Sequence, residues 1–360
     1  MAIKEAIVKI VEGGTLSEAE ASAAMVDIVE GVATPAQIGA FATALRMKGE
    51  TVDEITGLAR VMRDYSTRVH LEGDVTDLVG TGGDGSNSFN ISTISSMVVA
   101  AAGGRVAKHG NRAITSGCGS ADILKALDIA IDLSADNVAA CVNEAGFGFM
   151  FAPAFHPSLK NAAATRTEIG IRTVFNILGP LTNPARANHL LVGAAVGPLA
   201  PKLAMALSHL DVTHALVVHG AGGLDEMSLS GPTHVFEVES GDVTSYDVDP
   251  EKFGLAAADL AGIRGGTVES NLHLAHAALS GQPGPARDVV LLNAGAGLYA
   301  AGLVDTIKEG IDLAADLIAT GRARDKLAHV REVSQRLSKS QSSQSSSPTG
   351  PTRTASGEAR

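Results

Sequence analysis

The sequence predicts an α/β protein: a small N-terminal helical domain followed by a larger α/β domain with a mainly parallel central sheet flanked by helices. The first 70 residues carry signals for helices only, whereas short β-rich runs alternate with helical runs from about Asp74 onward. The composition, 45% hydrophobic and only 3% aromatic with 40 glycines, is typical of helices packed closely on a sheet. The 360 residues suffice for two unequal domains, and we place their boundary between residues 70 and 71.

Capping boxes mark the helix starts in residues 1–70, because a Ser or Thr there is followed three residues later by Glu or Gln. The pairs are Ser17 with Glu20, Thr34 with Gln37, and Thr51 with Glu54. An apolar stripe at helical spacing consists of Ile38, Phe41, Ala42 and Leu45. We interpret this stripe as core packing within a small bundle, with a partner surface as the alternative.

Residues 71–337 form the predicted α/β domain. Its predicted strands are Val75–Val79, Arg105–Lys108, Leu190–Val196, Ala215–Val218 and Val235–Val238. Its predicted helices include Ile94–Ala102, Ala121–Leu127, Ala135–Ala145, Pro201–Leu210 and Val304–Thr320. From Ser338 the chain is rich in Ser and Gln, which cannot build a core, so we predict a disordered tail over Ser338–Arg360.

Charge and cysteine content narrow the class of protein. The formal net charge of −11 argues against broad nucleic-acid binding. Cys118 and Cys141 cannot form a disulfide framework, which indicates a reducing compartment. The sequence has no signal-peptide pattern and no run of about 18 uncharged apolar residues. We therefore expect a cytoplasmic protein with neither a membrane nor a nucleic acid as its partner.

A glycine-rich stretch, Gly80–Thr93, follows the first predicted strand and precedes a predicted buried helix. Four of its first six residues are glycines, which let the backbone bend tightly and approach a ligand closely. Asn90, Ser92 and Thr93 bring polar groups to the helix start, where free N–H groups and the helix dipole favour an anion. The stretch therefore predicts a phosphate-binding loop rather than a simple turn before a helix.

Two other phosphate motifs fit this stretch less well. Gly80, Gly82 and Gly85 satisfy the G-x-G-x-x-G pattern of dinucleotide-binding proteins, but that motif needs a helix opening among the glycines and an acidic residue about 20 positions later. Here the helix is predicted to begin at about Thr93, and Ala100–Arg105 contains no acid. A P-loop is excluded because no Gly-Lys-Ser/Thr sequence follows.

A second polar stretch, Lys108–Ser116, follows another predicted strand, at the end of a strand where open α/β sheets bind ligands. Lys108 and Arg112 supply positive charge, and Ser116 and Ser120 offer further contacts to phosphate. The alternative is an ordinary solvated basic loop. The position of Lys108–Ser116 beside the Gly80–Thr93 loop in the predicted sheet favours phosphate binding.

A third polar stretch, His219–Ser228, contains the adjacent carboxylates Asp225 and Glu226. We expect both to be ionised at neutral pH and to suit Mg²⁺, which proteins often hold by one or two carboxylates plus substrate phosphates. The alternative is a helix start that is stabilised by acidic residues.

A fourth stretch places aromatic residues near cations. Phe151–Pro157 is followed by Arg166 and then by Arg172–Pro184. Aromatic groups beside an arginine can hold a planar carboxylate, with Arg166 pairing to it. The alternative is a structural ion pair, and we interpret His156 as a turn residue rather than a catalytic base.

Together these motifs resemble the anthranilate phosphoribosyltransferase family. The Gly80–Thr93 loop, Lys108–Arg112, Arg172–Pro184 and Leu224–Glu226 occur in the family's order and spacing, and the resemblance covers roughly residues 1–330. It implies a helical domain that includes a returning segment near residues 166–190, a homodimer through that domain, and Mg²⁺ as cofactor. It also implies transfer of a phosphoribosyl group from phosphoribosyl pyrophosphate to anthranilate in tryptophan biosynthesis.

The resemblance assigns roles by matching motifs. It places the phosphoribosyl pyrophosphate site at Gly80, Gly83, Asp84, Ser88, Asn90, Ile91, Ser92, Thr93, Lys108, Asn111, Ser116 and Ser120. It places anthranilate at Gly80, Asn111 and Arg166, and the metal at Ser92, Asp225 and Glu226. No catalytic acid or base is implied. Gly117-Cys118 and Phe155 depart from the family's usual residues and could affect the phosphate loop and the substrate channel.

Two rival functions share this scaffold. A pyrimidine nucleoside phosphorylase has the same fold and also attacks an anomeric carbon, but its Lys-Thr-Ser-rich phosphate loop is absent from Gly80–Thr93. A non-catalytic relative that binds nucleic acid would need basic stripes and a degraded phosphate loop. This acidic chain, whose phosphate loop is intact, favours neither alternative.

Overall fold

The computed structural model describes residues 1–113 and 117–345. The N-terminal part consists of four helices: α1 (Ala2–Val11), α2 (Glu18–Val29), α3 (Pro35–Lys48) and α4 (Val52–Asp64). The predicted capping boxes start α2, α3 and α4, with each Ser or Thr side chain accepting from the N3 amide. The stripe Ile38, Phe41, Ala42 and Leu45 is buried, as expected for core packing.

The α/β part is built on a seven-stranded sheet with the strand order β3-β2-β1-β4-β5-β6-β7. The strands are β1 (Thr76–Gly80), β2 (Val106–Gly110), β3 (Phe147–Phe151), β4 (His189–Gly193), β5 (His214–His219), β6 (Thr233–Glu239) and β7 (Asp242–Val248). The first five run parallel, and β6 and β7 are antiparallel additions at one edge. The predicted, mainly parallel α/β fold is confirmed.

Ten helices of the described residues follow in the α/β part. They are α5 (Ile91–Ala101), α6 (Ser120–Ala126), α7 (Ala135–Ala145), α8 (Ala152–Phe155), α9 (Lys160–Ile169), α10 (Ala200–Ser208), α11 (Val268–Leu279), α12 (Pro285–Ala300), α13 (Ile307–Ala319) and α14 (Arg322–Ser345). Helix α9 packs against α2 and α3, where Asn161 Nδ2 donates to Val29 O at 3.0 Å. No helix of the described residues is both long enough and apolar enough to cross a membrane.

Several elements differ from the prediction for physical reasons. Strand β3 is a continuous buried apolar run without alternation, and β7 is an exposed edge strand of mostly polar residues, so neither shows a clear strand period. Helix α12 is buried on nearly all sides and therefore has no amphipathic pattern. Helix α14 continues to Ser345, so the prediction of disorder from Ser338 begins too early; residues 346–360 lie outside the described residues.

The strand order creates a topological switch point between β1 and β4. From β1 the chain moves outward to β2 and β3, then returns to the other side of β1 as β4. Connections on the two sides of this point diverge, which leaves a crevice at the carboxyl ends of the strands. Gly80, Gly110 and Gly193 end their strands at this edge, so the loops that follow them meet there.

Candidate active site

Three neighbouring cavities open at the carboxyl edge of the sheet, and Gly80 lines all of them. The cradle cavity, about 360 Å³, lies among the Gly80–Asn90 loop, Ser120 and the Asp225-Glu226 pair. The bridge cavity, about 260 Å³, is lined by Lys108, Asn111 and Ser120 among others. The apolar cavity, about 220 Å³, lies among Met62, Leu159, Arg166 and Phe175.

The loop that forms the cradle cavity is fixed by its own side chains. Asp84 Oδ1 accepts from the amide and the hydroxyl of Ser86, both at 3.0 Å, which closes a tight turn. The backbone of Phe89 donates to Ile263 O at 3.0 Å, and Asn87 O accepts from Gly265 N at 2.9 Å. The predicted phosphate-binding loop is therefore held against a segment about 175 residues later in the chain.

A buried asparagine on α11 connects three segments of the cradle. Asn271, 1% exposed, donates to Asn90 Oδ1 at 2.8 Å and accepts from Gly266 N at 3.0 Å. Asn90 in turn donates to Cys118 O at 3.1 Å. Asn271 thereby sets the orientation of the Asn90 amide, which lines the cradle cavity. Sequence reasoning missed Asn271, because nothing local to α11 signals its partners.

The acidic pair sits at the start of α5. Asp225 Oδ2 accepts from Gly82 N at 2.6 Å, and Glu226 Oε1 accepts from Ser92 N at 3.2 Å. Burial and the nearby Asp84 carboxylate raise the pKa of Asp225, and burial and Asp225 raise the pKa of Glu226. Both acids therefore hold a proton more tightly in the ligand-free chain than exposed carboxyl groups do, which the expectation of simple ionisation at neutral pH did not include.

Lys108 is the cation beneath this cluster. Its side chain is 1% exposed, and Nζ donates to Leu78 O and lies 3.4 Å from Ser92 Oγ. Burial lowers the pKa of Lys108, while Asp77 and Glu226 oppose that shift. Burying an ammonium group beside the bridge cavity costs folding free energy unless an anion lies close to it.

The apolar cavity carries one cation on a hydrophobic wall. The Arg166 guanidinium lies over the Phe175 ring, 5.6 Å from its centroid, and burial lowers the pKa of Arg166. Among the described residues Arg166 has no carboxylate partner. An uncompensated, half-buried arginine beside an aromatic ring fits an aromatic carboxylate of modest size.

Two histidines face each other at this cavity. The rings of His109 and His156 have centroids 5.0 Å apart, and His109 Nδ1 lies 3.3 Å from Gly179 O. Burial lowers the pKa of His109 to about 3 and that of His156 to about 4. Both are therefore neutral at physiological pH. His156, interpreted from sequence as a turn residue, is 4% exposed and lines the cavity.

Arg172 is a second residue whose place sequence reasoning missed. It lines both the cradle and the bridge cavities and donates to Thr81 O at 3.4 Å. A Cβ at Gly83 would overlap the Arg172 guanidinium, and Gly83 also has a φ of +71°. Gly83 therefore has both a close approach and a backbone conformation that favour glycine. Arg172 was visible only as the first residue of the Arg172–Pro184 stretch.

Most residues assigned from sequence converge on the three cavities. Those that line at least one cavity are Gly80, Gly83, Asp84, Ser88, Asn90, Ser92, Lys108, Asn111, Ser120, Arg166, Asp225 and Glu226. The side chains of Ile91 and Thr93 are fully buried and line none of them, so only their backbone could contact a ligand. Ser116 lies outside the described residues.

The donor set suits a hard divalent cation. Asp84, Asp225 and Glu226 bring carboxylate oxygens to one cavity that also holds Ser92. Burial, together with a neighbouring carboxylate, raises the pKa values of Asp225 and Glu226. Within the described residues, no group of three or more His, Cys, Asp or Glu side chains is arranged to hold a metal by itself. This pattern is typical of Mg²⁺ that takes part of its oxygen shell from a phosphorylated ligand.

Comparison with known families assigns the chain. Residues 4–66 match the helical bundle domain of a glycosyl transferase family, and residues 72–324 match the a/b domain of a glycosyl transferase family. The anthranilate phosphoribosyltransferase of Dehalococcoides mccartyi is 53% identical over 337 residues, which are 93% of this chain and 99% of that protein. The chain belongs to the anthranilate phosphoribosyltransferase family. The enzyme of the same name from Chloroflexus aurantiacus is also 53% identical, over 336 residues.

Solved structures agree with this assignment. The anthranilate phosphoribosyltransferase of Thermus thermophilus has a TM-score of 0.87 and 41% sequence identity, and the match covers 93% of this chain and 99% of that one. The Saccharomyces cerevisiae enzyme in complex with PRPP (phosphoribosyl pyrophosphate) and Mg has a TM-score of 0.85 and 27% identity, with 93% and 98% coverage. The S. cerevisiae enzyme was also solved in complex with 4-fluoroanthranilate.

The buried histidines predict a pH dependence of stability. A histidine whose folded pKa lies below its unfolded value stabilises the chain above the unfolded pKa and loses that contribution as pH falls. For His156, whose folded pKa is about 4, the loss between pH 7.5 and pH 5 is about 2 kcal/mol. Urea unfolding at both pH values should show a smaller pH dependence for His156→Leu than for the unmodified chain. His273→Leu, which removes an exposed histidine, is the control, and equal slopes for all three proteins would contradict the assignment.

Proposed function

We propose that this chain transfers the phosphoribosyl group of phosphoribosyl pyrophosphate to anthranilate and releases pyrophosphate. One observation carries the proposal: a polar anion cradle and an apolar pocket with one free arginine meet at Gly80. The cradle fits a phosphorylated sugar, and the apolar pocket fits an aromatic carboxylate. The relatives that share this fold along nearly their whole length carry the same activity in their names.

The phosphorylated substrate is proposed to occupy the cradle and bridge cavities. Ser88, Asn90, Ser92 and Ser120 offer hydroxyl and amide groups there. At the start of α5 the amides of Ile91 and Ser92 already donate to Phe89 O and Glu226 Oε1, which leaves the Thr93 amide for a phosphate. Lys108 supplies the positive charge beneath them. Anions in these cavities would add to the compensation that Asp77 and Glu226 give to the buried Lys108, whose Nζ donates to the neutral acceptor Leu78 O.

Anthranilate is proposed to occupy the apolar cavity. Its carboxylate pairs with Arg166, its ring lies against the wall that includes Phe175, and Asn111 and Gly80 lie toward the bridge cavity. The neutral histidines add no charge that would compete with Arg166 for the carboxylate. This placement directs the amine toward the sugar.

Mg²⁺ is proposed to bind at Asp225, Glu226 and Ser92 together with substrate phosphates. The carboxylates Asp225 and Glu226 already accept from backbone amides at the cradle, so they are oriented before any ion binds. When bound, the ion supplies positive charge that favours departure of pyrophosphate. The raised pKa of each acid would fall next to a cation, and both would then be ionised.

The reaction is a displacement at the anomeric carbon. The neutral aromatic amine forms the new C–N bond as the C–O bond to pyrophosphate breaks, and the amine nitrogen loses one proton to solvent. An aromatic amine is largely unprotonated at neutral pH, so the chain needs no base before attack. The protein's share is to hold two substrates in line and to stabilise the charges that develop. Within residues 1–113 and 117–345, no contact favours a nucleoside phosphorylase or a nucleic-acid-binding protein.

A homodimer through the N-terminal helices is also proposed. Val8 and Val11 on α1 are 56% and 72% exposed, and Val32 in the loop after α2 is 48% exposed. Several exposed apolar side chains on one small domain favour a contact surface there. Both cysteines are free and buried, which suits the cytoplasm, a location that cell fractionation tests.

The dimer makes a prediction for the mass in solution. Val11→Asp places a charge in the proposed contact, so light scattering should give the mass of one chain, whereas the unmodified protein should give twice that mass. Met205→Asp is the control, because Met205 is 39% exposed on α10, outside the N-terminal helices. A Val11→Asp protein that keeps the larger mass would contradict this surface.

The acidic pair makes the central prediction for activity. With phosphoribosyl pyrophosphate and Mg²⁺ present, the unmodified enzyme should consume anthranilate fluorescence, and EDTA should stop the loss. Asp225→Asn and Glu226→Gln should each lower turnover at least about 100-fold, because each removes a proposed metal ligand. Both should unfold no earlier than the unmodified chain, since each removes a partly buried charge from a carboxylate cluster. Unchanged Mg²⁺-dependent rates in both variants would contradict the metal assignment.

Asn271 makes a prediction that separates the two substrates. Asn271→Leu removes both of its hydrogen bonds, and Asn271→Asp keeps only the acceptor for Gly266 N. Each should raise KM for phosphoribosyl pyrophosphate about tenfold, because Asn90 is no longer oriented, while KM for anthranilate changes less than about twofold. Asn137→Leu, which breaks hydrogen bonds to α14 far from the site, should change neither KM. A parallel rise in both KM values would make Asn271 a general stability residue instead.

A further inference from the structure

A fourth cavity lies outside the three that meet at Gly80. The side cavity, about 180 Å³, lies between the end of α3, the segment that follows α9, and the start of α10. It shares one residue, Arg172, with the cradle and bridge cavities and none with the apolar cavity. No proposed role in phosphoribosyl transfer uses this space.

The lining of the side cavity is rich in cations without acidic partners. Arg46, Arg172 and Lys202 line it, and none of them lies within ion-pair distance of a carboxylate among the described residues. Lys202 Nζ donates to the Glu50 carbonyl at 2.7 Å, and Glu50 is the one acidic residue in the lining. The cavity is therefore net positive, although the whole chain carries a formal charge of −11.

The rest of the lining is apolar. Ile177, Val196 and Leu199 form one wall, and Val196 is 48% exposed. A cavity of about 150 Å³ holds a benzene ring, so the volume here accommodates one small ring or a short branched chain. Three cations around an apolar wall match an organic anion with an apolar body better than they match a bare inorganic ion.

We propose that the side cavity binds a small organic carboxylate, and that its occupant competes with the phosphate cradle for Arg172. Arg46 and Lys202 hold the carboxylate from either side, and the apolar wall receives the body of the ligand. Arg172 lies against Gly83 at the cradle, and its position in the lining of both spaces lets it turn toward either anion. The proposal that the side cavity binds a carboxylate does not depend on the proposed function, whereas the competition with the phosphate cradle rests on it.

The competition follows from the charge of one guanidinium. When Arg172 pairs with a carboxylate in the side cavity, the cradle loses a positive charge next to Asp84 and Asp225. Phosphates then meet a more negative site and bind less tightly. By linkage the reverse also holds, so a filled cradle weakens binding in the side cavity by the same factor.

The binding site is tested by calorimetric titration of the full chain with hydrocinnamate, a carboxylate that carries one phenyl ring. Arg46→Gln and Lys202→Gln should each weaken its affinity about tenfold, because each removes one charge-assisted contact. Arg166→Gln should remove any second phase of binding in the apolar cavity and leave the affinity of the side cavity unchanged, and the exposed control Lys308→Gln should change neither. Inorganic phosphate should bind the side cavity much more weakly than hydrocinnamate.

Two results would overturn the site. If Arg166→Gln abolishes binding while Arg46→Gln and Lys202→Gln do not, the probe occupies the apolar cavity. If phosphate matches hydrocinnamate in affinity and depends on Arg46 and Lys202 in the same way, the cavity recognises charge alone. Neither measurement needs turnover, so both stand even for a chain that lacks transferase activity.

The competition is tested separately by steady-state kinetics. Saturating hydrocinnamate should raise KM for phosphoribosyl pyrophosphate at least about fivefold in the unmodified enzyme. Arg46→Gln, which lies outside the proposed substrate sites, should retain its basal rate and need about tenfold more hydrocinnamate for the same effect. A KM that does not move although calorimetry shows the side cavity filled would reject the role of Arg172.

Discussion

The convergence of three carboxylates at the carboxyl edge of the sheet is the constraint on which the rest of the site depends. Asp84, Asp225 and Glu226 line one cavity, and their mutual repulsion adds to the cost of burial. The chain tolerates them because the amides of Gly82 and Ser92 donate to the acidic pair and Lys108 lies beneath. The ligand-free site is therefore short of positive charge, and the proposed cation with its phosphates would relieve that shortage. The same groups that lower the stability of the empty site thus prepare it for its ligands.

Neutral side chains hold this charged cluster in place. Asn271 orients Asn90 at the phosphate loop, and Asn293 on α12 accepts from Met227 N at 2.9 Å and donates to Met227 O at 3.0 Å, directly after the acidic pair. Asn183 donates to Asp77 Oδ2 at 2.7 Å and to Ala107 O at 2.8 Å beneath β1 and β2. An amide can donate and accept at once and adds no charge. These hydrogen-bonded asparagine side chains fix the loops without changing the net charge of the site.

The sequence predicts what is encoded locally. Capping boxes place the starts of α2, α3 and α4, alternating strands and helices give the parallel sheet, and the glycine stretch marks the loop that lines the cradle cavity. Contacts between distant segments leave no such signal. Asn271 and Arg172 act on residues 181 and about 90 positions away, and the raised pKa values of Asp225 and Glu226 depend on Asp84, which is 141 positions earlier than Asp225. Buried elements such as β3 and α12 are hard to predict for a related reason. Complete burial removes the polar face, and with it the alternation of apolar and polar residues that reveals a strand or helix in the sequence.

Gly80 makes the two-substrate arrangement possible. It ends β1 at the topological switch point and lines the cradle, bridge and apolar cavities. A Cβ at this position would lie 2.3 Å from Asp225 Oδ2, so any side chain would displace the acid and also narrow the passage between the cavities. With only backbone there, the proposed sugar and aromatic sites are continuous, and an amine in one can approach a carbon in the other. The absence of a side chain at Gly80 thus joins the proposed metal ligand Asp225, the predicted phosphate loop and the apolar cavity into one site.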